Sequence, residues 1–198
     1  RQIEKIALSK LRRTLENTKL AEVTKIAKEL LANNGGLCRE DELTSEILQK
    51  LTTTNEVDSH IVRLSLAICP DLINSERNGV FHPFWIMKHL EEEELIMICE
   101  TMFHTLEKKK DMVQTAELAK EVEAELKAKE KIVSIEAILS LFSIDVRFKK
   151  VKEGIGLMIW RHTNPKSIRD KAYIVLKREG KPLHFVEIAN KITEAAFD

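Results

Sequence analysis

Side chains that could ligate a metal or act as nucleophiles are few and scattered in this chain. Cys38, Cys69 and Cys99 are odd in number, far apart and without a CxxC pair. They read as reduced core residues, because free cysteine behaves as a small apolar side chain. His60, His82, His89, His104, His162 and His184 lack ligand spacing, which argues against a zinc site. Glu91 to Glu94 place four carboxylates in a row. A metal or acid-base cluster would need other groups converging on them, whereas a helix start accounts for them through the positive end of its dipole. The sequence holds no glycine-rich nucleotide loop, no nucleophile with its base and no metal motif. The expectation is therefore no enzyme, no cofactor and no small-molecule substrate.

Contact with phosphate is the chemistry that the cations allow. In VRFKKVKEGIGLMIW, Arg147, Lys149, Lys150 and Lys152 precede a turn with Gly154 and Gly156. Basic residues on such a hairpin can reach phosphates or a minor groove; a lysine-decorated edge strand that resists aggregation fits equally well. Lys108 to Lys110 sits where a helix ends and suits the negative end of its dipole. In RQIEKIALSKLRR, Ile3, Ile6 or Ala7, Leu8 and Leu11 share one helix face, with Arg1, Lys5, Lys10, Arg12 and Arg13 elsewhere. That basic amphipathic helix is either a solvated face or a surface lying against phosphates. Lys and Arg balance Asp and Glu, 32 against 32, so any polyanion contact must be local.

The elements that must carry these cations repeat. LSLAICPDLINSERNGVFHPFW, from Leu64 to Trp85, recurs 75 residues later without a gap as LSLFSIDVRFKKVKEGIGLMIW. Leu64, Ser65, Leu66, Gly79 and Trp85 fall on Leu139, Ser140, Leu141, Gly154 and Trp160, and upstream Leu43 and Leu51 fall on Leu118 and Leu126. Internal repetition of this kind governs the fold. Each unit reads as helices of 3.6 period, then an extended segment, a glycine turn and a second extended run ending in Trp. A helix leading into a two-stranded ribbon is the ending of a winged helix.

In order, helices are expected over 1–13, 20–31, 40–51 and 57–68, with Asn33-Asn34-Gly35-Gly36 as a stop and Pro70 ending the last. Leu37-Cys38 is a short extended piece, 52–55 a loop, and strands are expected around Leu72-Ile73 and from Val80 to Met87. A helix from Glu91 to the lysine run carries Leu95, Ile98, Met102 and Leu106 inward. Met112-Val113 repeats the short strand, Thr115 caps a helix to Ala128, and Ser134 caps one through Phe142. Thr163-Asn164-Pro165 is a helix start, Glu179-Gly180 its end, Lys181 to His184 a strand, and 185–196 a last helix. This third copy lacks a third helix, and a half-unit should pack on its neighbour, pair with another molecule or be poorly ordered.

Two family resemblances add to this. RQIE, Ala7-Leu8 and Lys10-Leu11-Arg12 resemble the end of region 4 of bacterial housekeeping-type sigma factors, whose recognition helix runs through RQIE-x-x-AL-x-KLR. The resemblance implies a helix in the major groove of a promoter, with Arg1 and Gln2 as contacts, and a chain that begins inside a DNA-binding element. Ile6 stands where that family usually has a basic residue. Ser167 to Ile192 resembles the HARE-type helix-turn-helix family through Gly180, Pro182, Leu183, Glu187, Ile188 and Ala189. That family's winged-helix modules occur in a bacterial RNA polymerase accessory subunit, in restriction enzymes and in chromatin proteins. The likeness implies binding to nucleic acid or a transcription complex, without chemistry.

The resulting expectation is a mainly α chain with small β wings, made of tandem winged helices: 1–14 the end of a sigma-like recognition helix, 15–88 and 89–162 two winged helices, 163–198 the first half of a third. The function expected is a sigma-factor-like bacterial transcription regulator in the cytoplasm that binds double-stranded DNA. Its contacts are expected at Arg1, Gln2, Lys5, His60, Arg63, Arg77, Arg147, Lys149, Lys150 and Lys152. The alternative is a protein-interaction module docking on RNA polymerase. It is favoured by the second unit's third helix, SIEAILSLF, which carries no cation for base edges. No apolar run approaches the ~18 residues of a membrane-spanning helix, so no membrane is expected.

Overall fold

The computed structural model of the chain describes residues 2–14, 20–51, 58–151 and 154–195, the side chains at 2–5 and 14 excepted. It is mainly helical with small antiparallel sheets. After α1 (Gln2–Thr14), α2 (Leu20–Asn33) buries Val23, Ala27, Leu30 and Leu31 at helical spacing. Gly35 and Gly36, at φ +72° and +90°, end it in the left-handed region, and the Gly36 N–H donates back to the Leu31 carbonyl at 2.7 Å, a glycine-dependent stop. Strand β1 (Leu37–Arg39) leads into α3 (Glu40–Lys50). Helix α4 (Ser59–Ile68) is opened by Asp58, whose side chain accepts from the N–H groups of His60 and Ile61, the usual N-cap arrangement. Strands β2 (Leu72–Ser75) and β3 (Phe84–Met87) follow, and the sheet order is β1-β3-β2.

The same order then recurs: α5 (Glu92–Lys109), α6 (Thr115–Ala128), α7 (Ile135–Ile144), β4 (Phe148–Val151) and β5 (Gly154–Leu157). Here the strand before α6 is reduced to one bridge, Val113 to Ile155. Helices α8 (Ile168–Glu179) and α9 (Phe185–Glu194) close the described chain.

Several local expectations are corrected. Val80 lies outside the strand expected there, because residues 76–83 form an irregular connection and β3 starts only at Phe84. Thr115 is the first helical residue of α6, and Gln114 precedes it without a side-chain cap bond. Gly154 and Gly156 belong to strand β5; a Cβ at Gly154 would strike the Val113 backbone that pairs there. Helix α8 starts after Ser167, whose hydroxyl and the Asp170 carboxylate form a capping box, which outcompetes the Asn164-Pro165 start. Residues 181–184 are not a strand, and His184 caps α9. The loop expected at 52–55, and Val57, lie outside the described residues.

The repeat register also shifts along the chain. Leu43 and Leu118, 75 apart, are both fully buried. At the third helices the spacing is 76, from the N-cap Asp58 to the N-cap Ser134; there buried Val62, Ser65, Leu66 and Ile68 answer buried Ile138, Leu141, Phe142 and Ile144. At the last strands it falls to 70, from Phe84 to Gly154. The pair matched by identity, Leu64 and Leu139, is exposed in both helices. Trp85 lies buried inside β3, whereas Trp160 follows β5 and stacks on His162. A hairpin shorter by six residues in the second set produces the change.

The first sheet serves two cores. Cys38, Leu72 and Trp85 pack with α2, α3 and α4 on one face. Leu37, Phe84 and Ile86 pack into the second core with residues of α5, α6 and α7. Alternation along a strand sends neighbours to opposite faces, so FWIM is apolar throughout because both faces are covered.

Candidate nucleic-acid interface

The seam between the two cores runs along α7. A Cβ on Gly35 would collide with the backbone and Cβ of Ala137, so the turn after α2 sits directly on the first turn of α7. The Ser140 hydroxyl donates to the Asn34 carbonyl at 2.9 Å, and the Ser143 hydroxyl to Glu42 Oε2 at 3.1 Å. Beyond the helix, the His82 N–H donates to the Ile144 carbonyl at 2.8 Å and the Val146 N–H to the Val80 carbonyl at 3.0 Å. The face of α7 that carries Ser140 and Ser143 is thus turned to the first half of the chain.

Beside the seam is a concavity of about 340 Å³ lined by Glu42, Glu46 and Glu136 with Lys150 the one Lys or Arg. Cys38 in its wall has a thiol pKa pushed up to about 12, first by burial and then by Glu42, Glu46 and Asp41. That thiol stays protonated and is no nucleophile. A phosphate entering this groove meets three carboxylates.

The expected DNA contacts that fall among the described residues come from separate elements. Arg1 and Lys152 lie outside the described residues, as do the side chains of Gln2 and Lys5. His60 is exposed in the first turn of α4. Arg63, one turn on, places Nε 2.9 Å from Glu40 Oε1. Arg77 is exposed in the β2–β3 connection; burial first, then the charges of Arg39 and Arg77, hold the pKa of His82 below its ordinary value. Lys149 is half-buried and Lys150 exposed on β4.

Arg147 has an internal role. Its Nη2 lies 2.8 Å and its Nε 3.1 Å from the fully buried Asp145 carboxylate, while Nη1 lies 2.6 Å from Glu100 Oε1. The guanidinium also stands 4.9 Å from the Phe103 ring centroid, within cation–π range. The hydrogen bonds to Asp145 raise its pKa further. Behind it, burial raises the Cys99 thiol.

No family model, curated protein or solved structure matches the chain.

Cations absent from the sequence-based set lie closer together. Arg12 and Arg13 at the end of α1 share a concavity with Lys25 and Lys28 of α2. Lys28 pairs with Asp71, and an adjoining concavity adds Lys88 and His89 after β3. The three-residue spacing of Lys25 and Lys28 puts them on one helix face, and Arg12 and Arg13 belong to the basic amphipathic helix legible in the sequence. Among the described residues no three His, Cys, Asp or Glu side chains are placed to hold a metal ion. No described helix is long and apolar enough to cross a membrane.

Proposed function

We propose that the chain is a non-catalytic, sigma-factor-like transcription module of tandem winged helices, whose modules dock on RNA polymerase and do not read bases. The side of α7 that is bonded to the first half of the chain carries this reading. A third helix that reads DNA must present its outer residues to base edges in the major groove, and here Ser140 and Ser143 are bonded to Asn34 and Glu42. The order helix, strand, helix, helix, strand, strand, with a β1-β3-β2 sheet, supports the winged-helix assignment. Exposed Ile168, Tyr173, Phe185 and Val186 on α8 and α9 support a protein partner, since apolar and aromatic anchors carry protein interfaces. The bacterial transcription setting rests on the sigma-like and HARE-type resemblances.

The test is a titration of immobilised chain with bacterial RNA polymerase core enzyme, repeated with Tyr173→Ser and Phe185→Ser introduced together. Saturable binding that the double variant weakens at least tenfold is expected. Absence of polymerase binding, with duplex binding retained, would replace this reading with a DNA clamp.

A further inference from the structure

Arg12 and Arg13, Lys25 and Lys28, and Lys88 come from three separate stretches of chain and line two adjoining concavities, about 600 and 470 Å³, that share Lys28 and Asp71. Folding alone brings them together. Arg12 fixes α1 at this place, its Nη2 donating to the Ala67 carbonyl at 3.2 Å near the end of α4. A carbonyl partner leaves the positive charge of Arg12 uncompensated. Among the described residues Asp71 is the only carboxylate lining either concavity, and it pairs with Lys28. Four cations therefore remain in excess, in a chain whose total charge is zero. Such a local excess is the electrostatic footprint of a polyanion site.

We propose that this groove binds the phosphate backbone of duplex DNA, independently of base sequence. Lysine and arginine on flexible stems neutralise phosphates and position a duplex without reading it. Among the described residues Ala21 and Pro70 are the only apolar ones that line the larger concavity. Leu72 and Met87 line the smaller concavity but are packed into the first core, so an acidic amphipathic peptide would find charge there and little free apolar surface for an anchor; a phosphate chain needs the charge alone. The inference goes beyond polymerase docking, for it uses no residue of α7, α8 or α9. The seam groove, with Glu42, Glu46 and Glu136, repels the same polymer and directs it to the α1–α2 side.

The experiment is fluorescence anisotropy of a labelled mixed-sequence duplex across a salt series. It compares the native chain with the combined Arg13→Gln, Lys25→Gln and Lys88→Gln variant and with Lys149→Gln plus Lys150→Gln. Each neutralised phosphate contributes about −0.9 to the log-log slope, so the triple variant should flatten it by roughly 2.7. The Lys149 and Lys150 pair should leave it unchanged. No binding by the native chain at low salt, an unchanged slope in the triple variant, or a loss confined to the β4 pair would each overturn the proposal. If the triple variant melts at a lower temperature than the native chain, the three single variants decide, each expected to remove about 0.9 from the slope.

Discussion

Helices α4 and α7 are built alike and used differently. Both have ten residues, both open on a side-chain acceptor, Asp58 or Ser134, and both bury the same stripe. After α4 come Cys69 and Asp71; at the equivalent places after α7 come Asp145 and Arg147. Asp71 pairs with Lys28 of α2, while Arg147 pairs with Glu100 of α5. The same tie between the chain after the third helix and the first helix is thus made twice with the charges exchanged. The second copy adds a buried carboxylate where the first has a buried thiol. Repetition of fold has kept the position of the contact while its chemistry and exposure changed. Exposure decides the energy: Lys28 and Asp71 are open to water, whereas Asp145 is sealed.

The largest expected effect tests that difference. Asp145→Ala leaves the Arg147 charge without its buried partner and should cost about 3–5 kcal/mol of unfolding free energy. Asp71→Ala, at the exposed pair, should cost about 0–1 kcal/mol. Urea denaturation of both variants gives the two values. Equal costs would mean that the sealed Asp145 carboxylate adds no more than the exposed Asp71 does.

Next in size is the seam that separates the fates of the two helices. Gly35→Val adds a side chain at φ +72° against the Ala137 backbone, and should destabilise by about 2–4 kcal/mol through backbone strain and overpacking. Gly79→Ala, with nothing within 4 Å of the added Cβ, should lie within about 0.5 kcal/mol of the native chain, as surface changes do. A tolerated Gly35→Val, seen as an unchanged denaturation midpoint, would show that α7 does not seat on the first half.

A smaller effect comes from the histidines beside each hairpin. His82 and His162 both have pKa values held below the ordinary 6.5, first by burial. Asp111, 3.5 Å from His162 Nε2, acts the other way, but burial outweighs it. A lowered folded pKa means that the unfolded chain binds more protons, so stability rises with pH in the interval between the two values. Stability should therefore be fully present above pH 6.5 and decline as pH falls through the depressed folded values. Asp111, lowered chiefly by its bond from Lys177, loses its contribution in the same direction at still lower pH. Denaturation midpoints of the native chain, His82→Gln and His162→Gln across this range should show each variant with a shallower decline. A decline unchanged in both would assign it to other groups.

Much of the fold was legible because its signals are local. The α2 stop at Asn33 to Gly36, the α5 stripe of Leu95, Ile98, Met102 and Leu106, and the Ser134 cap stand as the periodicity requires. The hairpins were less so. Identity aligned Trp85 with Trp160, and nothing local to either tryptophan tells that one connection is six residues shorter. Arg147 looked like a wing cation because nothing in the sequence shows that Asp145 is buried and turned back onto it, and Glu100 lies 47 residues away. The missing cation in α7 was legible and agrees with its closed face. The α1–α2 groove was not, because Arg13 and Lys88 meet only across three elements.

The smallest effect separates the two serines that identity had matched. The Ser65 hydroxyl donates to the Ile61 carbonyl of its own helix at 2.7 Å. That carbonyl is part of the helix ladder, so Ser65→Ala removes a redundant bond of a type that slightly disfavours helix; the change should be near neutral. The Ser140 hydroxyl instead reaches the Asn34 carbonyl across the seam at 2.9 Å, from 106 residues away. Ser140→Ala should cost about 1 kcal/mol, the net worth of one such hydrogen bond. In the Gly35→Val background, where α7 has been displaced from the turn, the same Ser140→Ala change should cost almost nothing, because its partner has already moved. A double-mutant cycle measures that coupling. Additive effects would place the Ser140 bond outside the seam, and a coupling near 1 kcal/mol would tie the closed face of α7 to Gly35 as one unit.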